Sequence, residues 1–217
     1  MKKGCLFDLD GTLVNSLSDL ANAVNYVLLK HQYPVHQIEV YNQFVGNGIT
    51  KLVERALGEY SDSLLEECLD EFRCYYDEHC LDNTQPYSGI KELIKELHDA
   101  GYVLGVVTNK PHHLAIRIVE TLFPDMFDVV LGQQDLYPTK PSVESTHLAL
   151  MTMKTKKDDC VFIGDSCVDI ETAYNADMES IGVCWGFRGR KELEEAGATY
   201  IVDNVQQIKE LLYEDRC

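Results

Sequence analysis

No stretch of this chain approaches the roughly 18 consecutive apolar residues that a membrane span requires. After Met1-Lys2-Lys3 the first apolar run reaches only Phe7 before Asp8 interrupts it, too short for a signal-peptide core. These absences point to a cytoplasmic protein. Basic residues are scarce: 19 Lys and Arg stand against 36 Asp and Glu, a formal net charge of -17. That balance repels a phosphate backbone and an anionic bilayer, which argues against nucleic acid and membrane as partners. It also opposes an anionic small ligand unless a metal or a lysine reverses the field locally. The eight cysteines, at 5, 68, 74, 80, 160, 167, 184 and 217, include no C-x-x-C pair. Several lie in apolar runs such as Cys160-Val161-Phe162-Ile163, the setting of reduced core thiols. Internal repeats and low-complexity segments are missing as well.

What is present is an ordinary globular composition, 45% hydrophobic and 25% charged over 217 residues, enough for one domain and a smaller appendage. Short β-branched and apolar runs occur at Gly4 to Leu9, Val103 to Thr108, Val129 to Leu131, Val161 to Gly164, Ile181 to Cys184 and Tyr200 to Val202. From residue 83 they alternate with helical periodicity, as in Ile90, Leu93, Ile94, Leu97 and in Val205, Ile208, Leu211, Leu212. A βαβα series predicts an α/β fold with a doubly wound, Rossmann-like parallel sheet. Between residues 15 and 82 only helical spacing persists (Leu20, Val24, Val27, Leu28; Leu64, Leu65, Leu69, Phe72). An insertion of that length is a second domain rather than a loop. The expected organisation is a core of 1–14 plus 83–217 and an α-helical cap of 15–82.

The first strand runs into Asp8-Leu9-Asp10-Gly11-Thr12-Leu13, two carboxylates two apart and then a glycine that permits a sharp turn. Asp-x-Asp-Gly also suits a solvated turn or a calcium loop. A calcium loop needs a glutamate at its twelfth position, where Asp19 or Ala21 stands instead. Further polar groups fall at the ends of other strands: Thr108-Asn109-Lys110, Lys140-Pro141 and Gly164-Asp165-Ser166. Each has a bland explanation. Thr108 suits a helix cap, Lys140 a surface charge, and Asp165 and Asp169 a helix N-terminus. Those explanations do not account for the shared edge, and open α/β sheets bind ligands where their strands' carboxyl ends converge.

The ordered set Asp8-x-Asp10-Gly-Thr-Leu, Thr108-Asn109-Lys110, Lys140-Pro141 and Gly164-Asp165-Ser166-x-x-Asp169 resembles the haloacid dehalogenase superfamily of phosphatases, across essentially the whole chain. Val45-Gly46-Asn47-Gly48 with Leu52-Val53-Glu54-Arg55-Ala56-Leu57 is similar to the cap of phosphoglycolate phosphatases. The resemblance implies an aspartyl-phosphate formed on Asp8, with Asp10 as acid and base. It implies Mg2+ held by Asp8, Asp165 and the Asp10 carbonyl, with Asp169 a ligand or a partner of the ligands. Lys140, Thr108 and the Asn109 backbone would bind phosphoryl oxygens. The cap would close over the core, with Asn47 facing a small phosphorylated metabolite, phosphoglycolate first and a phosphosugar second. The chain is expected to be a monomer or homodimer. Asn15 stands where many relatives have aspartate, Ser142 to Ser145 replace a proline-rich segment, and Asp177 replaces a common glycine.

Other activities compete. A dehalogenase of the same superfamily lacks the acid at position 10. A phosphonate hydrolase uses a cap lysine, for which Lys51 is the candidate. A phosphosugar mutase keeps every core motif. Outside catalysis, a phospho-accepting receiver or a silent binding protein uses similar groups, but neither explains the insert together with the intact acids.

Overall fold

A computed structural model describes residues 3–214; Met1, Lys2 and Cys217 of the sequence reading lie outside them. The chain divides into two compact units, residues 1–14 with 86–217 and residues 15–85.

The first unit is built on a six-stranded sheet. Its strands are β1 (Gly4–Phe7), β4 (Val103–Pro111), β5 (Val129–Gln133), β6 (Cys160–Gly164), β7 (Glu179–Val183) and β8 (Tyr200–Val202). Two short strands, β2 (Val14–Asn15) and β3 (Gln85–Pro86), pair separately where the chain leaves and returns. The main sheet runs β5-β4-β1-β6-β7-β8, and each of its pairings is parallel. Strands covered on both faces are continuously apolar rather than alternating. Cys5, Leu6 and Phe7 of β1 accordingly have no exposed surface.

Helices α4 (Ile90–Asp99), α5 (His112–Leu122), α6 (Glu144–Thr152), α7 (Cys167–Asn175), α8 (Arg190–Glu195) and α9 (Val205–Glu214) complete this unit. The 3.6-residue stripe of α4 is buried in full at Ile90, Leu93, Ile94 and Leu97. On α6 and α7, Ala149, Leu150, Ala173 and Ala176 pack with Leu6, Val107 and Phe162 of the sheet. Register decides what meets at the carboxyl edge. Phe7 lies opposite Val106 on one side and Ile163 on the other, so Asp8, one residue on, and Thr108 and Asp165, two residues on, reach the same edge. Asp8 is pinned there by its N–H, which donates to the Ile163 carbonyl at 2.9 Å.

Two local details differ from the sequence reading. β1 stops at Phe7 rather than Leu9, because the chain turns at once: the N–H groups of Leu13 and Val14 return to the Leu9 carbonyl. β4 continues to Pro111 rather than ending at Thr108, but its pairing with β5 shifts register between Val107 and Pro111. Thr108, Asn109 and Lys110 therefore occupy an irregular strand end.

The second unit holds α1 (Leu17–Lys30), α2 (Ile49–Leu57) and α3 (Asp62–His79), with a 3-10 turn at Ile38–Gln43. Val24, Val27, Leu28, Tyr41, Leu52, Val53, Phe72 and Tyr76 form its buried interior. Residues 83–85 belong with this unit for a visible reason. Buried Asp19 accepts from the N–H of Asn83, the Asn83 amide, and both the N–H and hydroxyl of Thr84, at 2.7 to 3.0 Å. Of the seven described cysteines, Cys5, Cys68, Cys80 and Cys160 are buried, and all seven are thiols. No helix among the described residues is long and apolar enough to cross a membrane.

Candidate active site

Four carboxylates and two lysines gather at the carboxyl edge of the sheet. Lys140 follows β5 and is no surface charge: its side chain is 2% exposed, with Nζ 2.9 Å from Asp8 Oδ1 and 2.6 Å from Asp169 Oδ1. The ammonium also stands 5.4 Å from the centre of the Phe162 ring, a favourable cation–π placement. Burial would push it towards neutrality, but the charges of Asp169 and then Asp8 overcome this and hold it protonated well above its ordinary range. Its backbone is fixed by Asn109, whose Oδ1 accepts from the Lys140 N–H at 2.8 Å while its Nδ2 donates to the Lys140 carbonyl at 3.1 Å. The Asn109 side chain is thus spent on positioning Lys140, which leaves only its backbone for any other role.

Asp8 and Asp165 are the strained acids of the group. Burial raises Asp8 to about 6; Lys140 pulls it back and Asp169 adds to the rise. The Thr108 hydroxyl hydrogen-bonds the Asp8 carboxylate. Oδ1 of Asp8 is ion-paired with the Lys140 ammonium at 2.9 Å. Asp165 is also raised well above the carboxylate range, by burial first and then by the charges of Asp169 and Asp8.

Asp165 sits in a tight cradle. It accepts from the Phe187 N–H at 2.8 Å and from the Thr12 hydroxyl at 3.3 Å. Gly11, at φ +89°, and Gly186 flank it so closely that an added Cβ would lie 2.4 Å from Asp165 Oδ2 and 2.2 Å from Asp165 Cβ respectively. Trp185 braces the same turn by donating from Nε1 to the Thr12 carbonyl at 3.1 Å.

Asp169 belongs to α7 and is committed on both oxygens. Oδ2 accepts from the Ser166 N–H and hydroxyl, closing a capping box, while Oδ1 receives Lys140. Asp10, two residues beyond Asp8, receives Lys110 Nζ on both oxygens, at 3.1 and 3.0 Å.

Donor oxygens of Asp8, Asp165 and Asp169 lie within 4.8 Å of one another. Three carboxylates against the single ammonium of Lys140 leave excess negative charge in a buried, all-oxygen donor set, which suits a hard divalent cation. A second trio, His31, Glu67 and Glu71 in the helical unit, has the spacing for a metal as well. There Glu71 already carries Lys30 at 2.5 Å and His31 at 2.9 Å.

The edge thus brings together Asp8, Asp10, Thr108, Asn109, Lys140, Asp165 and Asp169. Asn47 belongs to the helical unit, exposed, with its Oδ1 accepting from Arg55, which also donates to the Phe44 carbonyl. Lys51 is a poor imine former. Its side chain is 57% exposed, and its hydrogen bond to Glu54 holds it protonated above its usual range, whereas an imine-forming lysine needs its acidity increased. Sequence reasoning gave no role to Thr12, Lys110, Ser166 or the Trp185-Gly186-Phe187 turn. The turn follows β7 at the same sheet edge, and that position was the available signal.

Comparison with known proteins agrees with this geometry. The family model for haloacid dehalogenase-like hydrolases matches residues 5–183. A phosphoglycolate phosphatase of Colwellia psychrerythraea is 31% identical, covering 95% of each chain. A Lactobacillus delbrueckii crystal structure, provisionally named a phosphoglycolate phosphatase, superposes with a TM-score of 0.93 at 34% identity, covering 98% of this chain and 99% of that one. A Clostridium acetobutylicum structure, provisionally named a phosphatase, gives 0.87 at 30%, covering 99% of both. Motifs, sheet order and relatives coincide: the chain belongs to the haloacid dehalogenase-like hydrolase family.

Proposed function

We propose that the protein is a magnesium-dependent phosphatase that hydrolyses a small phosphomonoester through an aspartyl-phosphate on Asp8. Asp8 carries this reading: it is a buried carboxylate raised by burial to about 6, with the Lys140 ammonium 2.9 Å from its Oδ1 and a second acid two residues on. A buried acid of shifted acidity beside a specific charge partner marks a functional group.

An oxygen of Asp8 attacks phosphorus as the bond to the leaving oxygen breaks, and Asp10 gives that oxygen its proton. Asp10 then takes a proton from water as the water attacks the phosphorus of the aspartyl-phosphate, releasing inorganic phosphate and freeing Asp8. Lys140 neutralises Asp8 and a phosphoryl oxygen, while Thr108 and the Asn109 backbone bind the others. Asp8, Asp165 and the Asp10 carbonyl would hold magnesium, which when bound neutralises the approach of an anion to an anion. Asp169, with both oxygens engaged, orients Lys140.

Turnover of p-nitrophenyl phosphate should require magnesium and vanish in excess chelator. Asp8→Asn should fold yet lose about a thousandfold or more in kcat and give no acid-stable phosphoenzyme. Near wild-type turnover in that variant removes the proposal. For substrate, the relatives' names favour phosphoglycolate, and a screen of phosphorylated metabolites that ranks it below neutral esters would overturn that assignment.

A further inference from the structure

Lys110 has no part in the chemistry described so far, yet its side chain is 2% exposed and its ammonium meets both oxygens of Asp10. An ammonium about equally far from both oxygens anchors the end of the side chain, so the carboxyl group cannot swing away without losing both contacts. The two lysines of the edge also divide the acids between them. Lys140 takes Asp8 and Asp169, and Lys110, reaching in from the irregular end of β4, takes Asp10. Asp8 and Asp10 are only two residues apart, so without this division Asp10 could turn towards Lys140 and compete with the nucleophile for its counter-charge.

We propose that Lys110 is a positioning residue that holds the Asp10 carboxylate in place beside the nucleophile. This rests on Asp10 being the acid and base. Proton donation to the departing oxygen matters most when the leaving group is poor, because a good leaving group departs as a stable anion. Loss of Lys110 therefore harms alkyl esters selectively, whereas a general loosening of the fold harms all esters alike.

The test compares kcat/KM for glycerol phosphate and p-nitrophenyl phosphate, with magnesium, in the wild type, Lys110→Met, Asp10→Asn and the double variant. Lys110→Met should lose about thirtyfold on the alkyl ester and less than about threefold on the aryl ester. In the Asp10→Asn background the same change should add less than about twofold, since the two residues act as one unit. Lys110→Arg, which keeps the cation, should recover most of the alkyl activity and gives the reading if Lys110→Met does not fold. Equal losses on both esters, in whichever of these Lys110 variants folds, overturn the proposal, as do single losses that multiply in the double variant. If Asp10→Asn itself treats the two esters alike, the acid/base reading falls. If Asp10→Asn is ester-selective and the Lys110 variants are not, Lys110 alone is wrong.

Discussion

On the proposed mechanism, Asp8 is the residue at which protonation and cation binding compete. Burial favours its neutral form in the folded chain, so its contribution to stability is complete below the unfolded carboxylate range near 4 and is lost as pH rises through about 6. Asp165, raised for the same first cause, acts in the same direction. A divalent cation binds only the ionised pair, so protons displace it. The magnesium dissociation constant obtained from the logarithmic rise of Tm with magnesium should be at least about tenfold higher at pH 5 than at pH 7.5, as a group titrating near 6 requires. Thermal scans over a magnesium series measure this, and the same constant at both pH values would contradict the assignment of the cation to Asp8. The acids themselves were legible in the sequence because they end strands. Their charge states were not, since these follow from the neighbours that folding supplies.

Among the elements, β1 shows how far a linear pattern reaches. Its apolar run and the doublet after it identify a buried parallel strand with acids at its carboxyl end, but the partners of those acids come from β4, the segment after β5 and β6. The helical unit offers the converse case. Asp19 lies within the helical spacing of α1 and reads as an ordinary first-turn acid, yet it gathers four donors from Asn83 and Thr84, some 65 residues away. Asp19→Ala strands those donors in a buried place. It should cost about 3 kcal/mol, seen as a lower denaturation midpoint in urea. A loss below about 0.5 kcal/mol would show that water replaces the carboxylate freely. Asp177 is another such position. It takes φ of 56°, a left-handed conformation that aspartate tolerates better than most residues.

For the whole molecule, the net charge of -17 sets a repulsive background for any phosphate ester, and because four carboxylates outnumber the two buried lysines at the sheet edge, the proposed cation is the local answer to it. On the proposed mechanism the groups at that edge address the phosphoryl group and its cation, a requirement every phosphomonoester shares, so ranking among esters must come from other residues. The helical unit, joined to the first by chain ends at 14/15 and 85/86, is our proposed source. Asn47, in the Gly46 to Gly48 loop tied down by Arg55, is the first residue to test. Asn47→Ala should alter the order of kcat/KM among phosphoglycolate, glycerol phosphate and a hexose phosphate while the magnesium requirement persists; an unchanged order would remove Asn47 from substrate selection. The sequence by itself determined the α/β class, the helical insertion and the set of acids, threonine and lysine at the strand ends. It could do so because burial imposes periodicity, and parallel crossovers deliver every strand end to one edge. Only the tertiary structure decided which lysine holds which acid, that the Asn109 side chain is consumed in fixing Lys140, and that Gly11 and Gly186 make room for Asp165. Those are pairings between residues up to 154 positions apart (11 to 165), set by strand register and side-chain reach, and neither quantity is written in local sequence.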